Sequence, residues 1–166
     1  RIVEKNSFRR SNYFDFVGQE CRHVQSNVGI LDMSAFSKAS VEGSDSETWL
    51  NSILANKVPS KPGRIALCHM LSLNGGVRAE FTVYRKSRNS FYLVFSGATE
   101  RHDWDYLNKL LPKNRSINIQ NITTQKGVFV IAGPKSRSLL QKLTDTSLDN
   151  CLLYTSDVAD DMQCVD

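Results

Sequence analysis

The stretch from Ile65 to Phe95 constrains the fold of this chain more than any other. Ile65 to Leu73 is rich in strand-forming residues, Asn74-Gly75-Gly76 is a strong turn signal, and Phe81-Thr82-Val83-Tyr84 supplies a returning strand. Arg85 to Asn89 reads as a second polar turn and Phe91 to Phe95 as a third strand. Strands joined by such short turns pair antiparallel, so the segment predicts a meander. Side chains alternate across a strand. If Phe81 and Val83 face a core, Glu80, Thr82 and Tyr84 therefore share the opposite face. A carboxylate beside apolar walls can act as a base or stabilise a cation, which makes Glu80 the candidate catalytic residue. The other reading of Glu80 is a solvated strand-end acid.

Helical spacing frames this meander. Phe14, Val17, Cys21 and Val24 predict a helix ending near Gly29, followed by a buried stretch at Ile30-Leu31 and Met33 and a weakly alternating strand over Ser37 to Val41. Ser44-Asp45-Ser46-Glu47 has the form of a capping box ahead of the apolar stripe Trp49, Leu50, Ile53 and Leu54, with the helix stopping near Lys57. Thr99 is placed to cap a helix carrying Trp104, Leu107, Leu110 and Leu111, ended by Pro112. Ile117, Ile119 and Ile122 alternate as a strand, and Gly127 to Ala132 is a nearly continuous apolar strand. Gly133-Pro134 starts a last helix bearing Leu139, Leu140 and Leu143. Strands and helices mix without a strict βαβ rhythm, so the fold class is α+β with a largely antiparallel sheet and packed helices.

Composition narrows the functional classes. The 166 residues suffice for one globular core. No run of about eighteen apolar residues occurs, so no membrane span is expected. Cys21, Cys68, Cys151 and Cys164 lack metal-ligand or redox spacing, so no metal site is expected and buried reduced thiols are the preferred reading. His23, His69 and His102 lie far apart in sequence and read individually as structural residues. Phosphate-binding glycine fingerprints and the nucleophile elbow are absent. The last sixteen residues hold four Asp and no Lys or Arg, so the formal charge of +4 becomes +8 without them. A basic balance suits an anionic ligand or simple solubility; without an aromatic stacking motif, no nucleic-acid partner is expected.

Three parts are delimited. Residues 1–11 read as a linker, residues 12–150 as the folded domain, and residues 151–166 as a tail with neither helical nor strand period. The tail resembles translated sequencing-adapter read-through, the alternative being a native acidic tail. The lack of an initiator Met suggests a fragment.

Val28-Gly29-Ile30-Leu31-Asp32-Met33-Ser34, Leu73 to Val83 and Ile131-Ala132-Gly133-Pro134-Lys135-Ser136-Arg137 together resemble the glycine-cleavage T-protein (aminomethyltransferase) superfamily. Lys61-Pro62-Gly63-Arg64-Ile65, His69-Met70-Leu71, and Glu100-Arg101-His102-Asp103 with Asn121-Ile122-Thr123 narrow the resemblance to its dimethylglycine and sarcosine dehydrogenase branch. The resemblance covers residues 12 to 150 and implies a T-protein-like folate-binding domain, its N-terminal part only. It implies tetrahydrofolate as cofactor, FAD in a missing upstream domain joined through the linker, and dimethylglycine or sarcosine as substrate. It also implies capture of a one-carbon unit as 5,10-methylenetetrahydrofolate by a fragment inactive on its own. Localisation would be cytoplasmic in a bacterium and the mitochondrial matrix in a eukaryote. The family's catalytic Asp falls on Glu80, one methylene longer, and its pterin-pocket positions fall on Leu67, Leu93 and Phe95. The alternatives are a stand-alone aminomethyltransferase and a folate-binding module of tRNA modification or iron–sulfur maintenance.

Overall fold

The computed structural model describes residues 8–148, so the tail at 151–166, with Cys151 and Cys164, and most of the linker at 1–11 lie outside the described residues. Two compact units are present: one holds residues 33–128, the other residues 8–32 and 129–148 of the described chain.

The meander predicted for Ile65 to Phe95 is the heart of the first unit. It comprises β3 (Ile65–Leu71), β4 (Val77–Ser87) and β5 (Ser90–Phe95), which pair antiparallel in that order. The first hairpin turns where Gly75 takes φ +79°, a left-handed conformation that glycine adopts without steric cost. Ser72 N–H donates to the Gly76 carbonyl and Gly75 N–H to the Ser72 carbonyl, closing the loop. Beyond β5 lies β2 (Ser37–Glu42), and beyond that β6 (Asn118–Asn121), completing an antiparallel sheet of order β3-β4-β5-β2-β6. Strand β2, flanked by β5 and β6, is buried on five of six positions, which explains why its sequence alternates only weakly. The strand expected across Ile117 to Ile122 is shorter, and its two outer isoleucines are buried beside its ends.

Period two sorts the sheet into two faces. Ala66, Cys68 and Met70 of β3, Phe81 and Val83 of β4, Phe91, Leu93 and Phe95 of β5, and Ala39 and Val41 of β2 form one buried cluster. Two helices complete it: α2 (Ser46–Ile53), through Trp49 and Leu50, and α3 (Glu100–Lys109), through Leu107. Trp49 Nε1 donates to the Leu110 carbonyl at 2.8 Å, tying the end of α3 to α2. A Phe side chain moved from water to such a core contributes roughly 1.5–3 kcal/mol.

Three expectations are corrected in this unit. The capping box is not formed: Asp45 is the N-cap and makes no side-chain cap bond, because Glu47 instead reaches the Arg85 guanidinium at 2.7 Å. The α2 helix stops at Ile53 rather than near Lys57. The second hairpin turn is tighter than Arg85 to Asn89, because β4 runs on to Ser87 with Arg85 drawn into the interior opposite Phe91.

In the other unit, α1 (Phe14–Ser26) precedes β1 (Gly29–Asp32), which pairs antiparallel with β7 (Phe129–Ala132), and α4 (Ser136–Leu140) follows. The buried stretch expected at Ile30-Leu31 is not seen: these residues are 62% and 58% exposed. A two-stranded ribbon has no neighbouring strands, and α1 itself buries no residue, so this unit lacks a second layer to cover them. For the same reason Cys21 is exposed, whereas Cys68 is buried as expected; both are free thiols. Among the described residues no helix is long and apolar enough to cross a membrane, and no group of three His, Cys, Asp or Glu could hold a metal.

Candidate functional site

The sheet face opposite the core carries the candidate chemistry. Cross-strand register lines it up in three rows. His69 stands opposite Glu80. Leu67, Thr82, Val94 and Lys38 make the second row, and Ile65, Tyr84, Tyr92 and Ser40 the third. Tyr84 and Tyr92 stack with centroids 6.1 Å apart at 28°, adding a flat aromatic surface to the third row.

Glu80 sits where alternation from Phe81 and Val83 places it, on this open face with its side chain 59% exposed. Its Oε2 lies 3.2 Å from His69 Nε2. The pairing follows from the hairpin: β3 and β4 bring residues 69 and 80 face to face, with a one-residue register shift between this pair and the turn. An acid and an imidazole in contact can share a proton and present either a base or a negative charge to a bound cation. His69, read from sequence as structural, is therefore a partner of Glu80.

The four predicted site residues do not converge on one surface. Leu67, 39% exposed, shares the open face with Glu80. Leu93 and Phe95 do share a face, as their spacing requires, but it is the core face, where they are 1% and 2% exposed. Phe95 packs there against Phe81, ring centroids 5.3 Å apart. These two residues support the sheet from behind, and the β5 residues that meet the Glu80 face are Tyr92 and Val94. Sequence reasoning missed Val94 because a run such as Phe91-Tyr92-Leu93-Val94-Phe95 is apolar at every position and leaves the face undecided.

The far end of the open face is roofed. Residues 126–128 and Ile122 line, together with Lys38, Tyr92 and Val94, a half-open cavity of about 210 Å³. Lys38, only 3% exposed, donates from Nζ to the carbonyls of Ser34, Thr123 and Lys126 at 2.9, 3.0 and 2.9 Å. All three ammonium protons are thus satisfied, so its task is to hold the roof down.

The motif pair Glu100-Arg101-His102-Asp103 and Asn121-Ile122-Thr123 also becomes one physical object. Glu100 Oε1 accepts from Asn121 Nδ2 at 2.6 Å and from Thr123 Oγ1 at 2.8 Å. The Asn121 hydrogen bond above all, then that of Thr123, holds the Glu100 carboxyl below its ordinary range. Glu47 is lowered likewise, chiefly by its hydrogen bond from Arg85.

An antiparallel sheet with helices on one face and an acid–imidazole pair on the other defines a mixed α+β architecture. The GCVT N-terminal domain family matches residues 1–162, and the chain belongs to that family. Dimethylglycine dehydrogenase, mitochondrial, of Mus musculus is 39% identical over 145 residues, 87% of this chain and 17% of that protein. Aminomethyltransferase of Natranaerobius thermophilus is 29% identical over 149 residues, 89% of this chain and 40% of that protein. The chain thus spans well under half of either relative. The crystal structure of glycine cleavage system aminomethyltransferase T from Bartonella henselae superposes with a TM-score of 0.68 over 75% of this chain and 34% of that one, at 19% identity, which establishes the shared fold.

Proposed function

We propose that this chain is the tetrahydrofolate-binding part of a flavin-dependent dimethylglycine or sarcosine dehydrogenase, collecting the one-carbon unit as 5,10-methylenetetrahydrofolate. The observation that carries the reading is Glu80 on an open sheet face, 3.2 Å from His69 and beside Leu67, in a chain 39% identical to a dimethylglycine dehydrogenase. The aminomethyltransferase relative stands at 29% identity, which favours the dehydrogenase branch.

The residues present fit a reduced pterin. Leu67, Thr82 and Val94 give a mostly apolar strip beside the acid, and the Tyr84–Tyr92 stack extends it as a flat wall. Bound tetrahydrofolate would supply a nucleophilic amine that captures an activated one-carbon unit. Glu80 places negative charge beside the cation that delivers this unit, and with His69 it can take up the proton released on capture. Leu67 and Val94 keep water from a cation that hydrolyses readily. Leu93 and Phe95 act from behind, fixing the strand that carries Val94. No residue here is assigned to FAD, which belongs to another part of the parent enzyme in this reading.

The test is product partition in the parent enzyme. Glu80→Ala should leave amine oxidation nearly unchanged. Capture of the one-carbon unit by tetrahydrofolate should slow by about a hundredfold or more, the lower end of what a positioned acid–base group contributes, so methylenetetrahydrofolate yield should fall with free formaldehyde rising in step. An unaltered ratio of the two products removes Glu80 from the mechanism.

A further inference from the structure

An open cleft of about 410 Å³ lies where α3 begins. Gly97 and Ala98 of the preceding turn, Glu100, Arg101 and Trp104 of the helix, and Asn121 at the end of β6 line it. It shares no residue with the Glu80–His69 pair or with the strip beside that pair.

Two opposite charges line this cleft without meeting. Consecutive residues of a helix do not face each other, so Glu100 and Arg101 diverge. Glu100 is held by neutral donors, Asn121 at 2.6 Å and Thr123 at 2.8 Å. These fix the carboxylate, and among the described residues no cation lies within 4.0 Å of it. Lys38, the cation that acts on Glu100 from further off, has given its protons to three carbonyls. Arg101 is exposed and makes no side-chain hydrogen bond or ion pair among the described residues. Trp104 stands three residues from Arg101 and four from Glu100, spacings that set it beside both. Its Nε1–H has no acceptor among the described residues, whereas that of Trp49 is given to the Leu110 carbonyl. The helix end adds donors. Thr99 at the N-cap makes no side-chain cap bond, and the Arg101 N–H has no backbone acceptor. Such first-turn N–H groups favour negative charge.

We propose that this cleft binds a small amino acid in its zwitterionic form, Arg101 and the first turn of α3 taking the carboxylate, Glu100 and the Trp104 indole taking the ammonium. A simple anion would meet the fixed Glu100 carboxylate, and a simple cation would meet Arg101. A ligand with both signs a short distance apart escapes both repulsions, so the cleft selects by exclusion as well as by attraction. An alkylated ammonium suits an indole especially well, which makes an N-methylated glycine the natural probe. The inference uses neither folate nor Glu80, so it goes beyond the proposed function and does not depend on it.

The indole N–H of Trp104 supplies the reporter. The full chain, isotope-labelled, is titrated at constant ionic strength with N,N-dimethylglycine, with acetate and with trimethylammonium while both indole Nε1–H signals are followed by NMR. Trp104→Phe assigns the signals, and Trp49 in the core is the internal control. The expected result is a saturable shift of the Trp104 signal with dimethylglycine, Trp49 staying in place. Acetate and trimethylammonium each lack one charge and should bind about fivefold more weakly, the upper worth of an exposed ion pair. Arg101→Gln should weaken dimethylglycine by about the same factor, and Arg101→Glu, a reversal of charge at an exposed position, should abolish the response. Glu100→Gln should erase the discrimination against acetate, which a merely structural role for Glu100 would not do. A Trp104 signal that does not shift saturably with dimethylglycine overturns the inference. So does an equal response to acetate or to trimethylammonium in the unsubstituted chain, or a response that survives Arg101→Glu.

Discussion

Arg85 and Lys38 show how chemistry at one position can oppose the hydropathy of the sequence. Both are charged and nearly inaccessible, 4% and 3% exposed. Lys38 meets three carbonyls with three ammonium protons. Arg85 uses its planar fork: Nη1 donates to the Pro59 carbonyl, Nη2 to the Arg88 carbonyl and Glu47, and Nε to the Ser87 carbonyl. The two shapes are not interchangeable. Arg85→Lys should therefore destabilise the domain by about 2–4 kcal/mol, since buried carbonyls lose their donors at roughly 1–3 kcal/mol each. Urea unfolding checks this: the midpoint should fall with the slope unchanged. A shift of a few tenths of a kcal/mol would place Arg85 among ordinary surface arginines, where its position in a polar turn had put it on sequence grounds. Such burial was illegible because the acceptors are remote, Pro59 lying 26 residues from Arg85 and Lys126 lying 88 from Lys38.

At the scale of elements, faces were more legible than ends. Alternation through Glu80, Phe81, Thr82 and Val83 assigned both faces of β4 correctly, because period two is a direct consequence of strand geometry. The capping of the first turn of α2 was misread because Glu47 has a better partner in Arg85 than in the backbone, and its end was placed too late because the chain turns extended at Leu54. Long-range staples of this kind also set how the elements respond to acid. Glu100 of α3 holds Asn121 at the end of β6 and Thr123 beyond it, and these hydrogen bonds keep its pKa in the folded chain below its ordinary 4.5. A depressed folded value means that the unfolded chain binds the proton first. The stabilisation is then fully present above about pH 4.5 and is lost as pH falls through the folded value. Glu47 and Asp45 are lowered too, so the staple must be read by difference. The gap in urea midpoint between the unsubstituted chain and Glu100→Gln should be constant from pH 7 to 5.5 and close as pH falls below about 4.5. A gap independent of pH down to 3 would show that the carboxylate charge contributes nothing to the staple. Close approach adds a second constraint: a Cβ at Gly97 would lie 2.0 Å from the Ala35 carbonyl oxygen, so the turn into α3 admits no side chain there without moving backbone.

For the whole molecule, the apolar pattern was a good guide to where strands lie and a poor one to where burial is concentrated. Ile30, Leu31, Phe129 and Val130 look as core-like in the sequence as Phe91 or Leu93, yet they are 44–62% exposed while Phe91 and Leu93 are at most 1% exposed. The difference is the number of layers each unit possesses. Residues 33–128 have a five-stranded sheet with helices against one face, whereas β1 and β7 form a two-stranded ribbon whose helix α1 buries nothing. Opening free energy follows buried apolar area and protected hydrogen bonds, so the two units should open independently and at different cost. In native-state hydrogen exchange, amides of β4 and β5 should report the largest opening free energies in the chain. Those pairing Ile30 with Ile131 should exchange at least about a hundredfold faster, equivalent to roughly 2.7 kcal/mol less protection. Phe81→Ala, which removes a ring that is 0% exposed, should lower protection across β3, β4 and β5 by about 3–5 kcal/mol and leave β1 and β7 unmoved. Equal loss in both sets of strands would mean that the chain unfolds as one cooperative block, and the layer argument would fall with it.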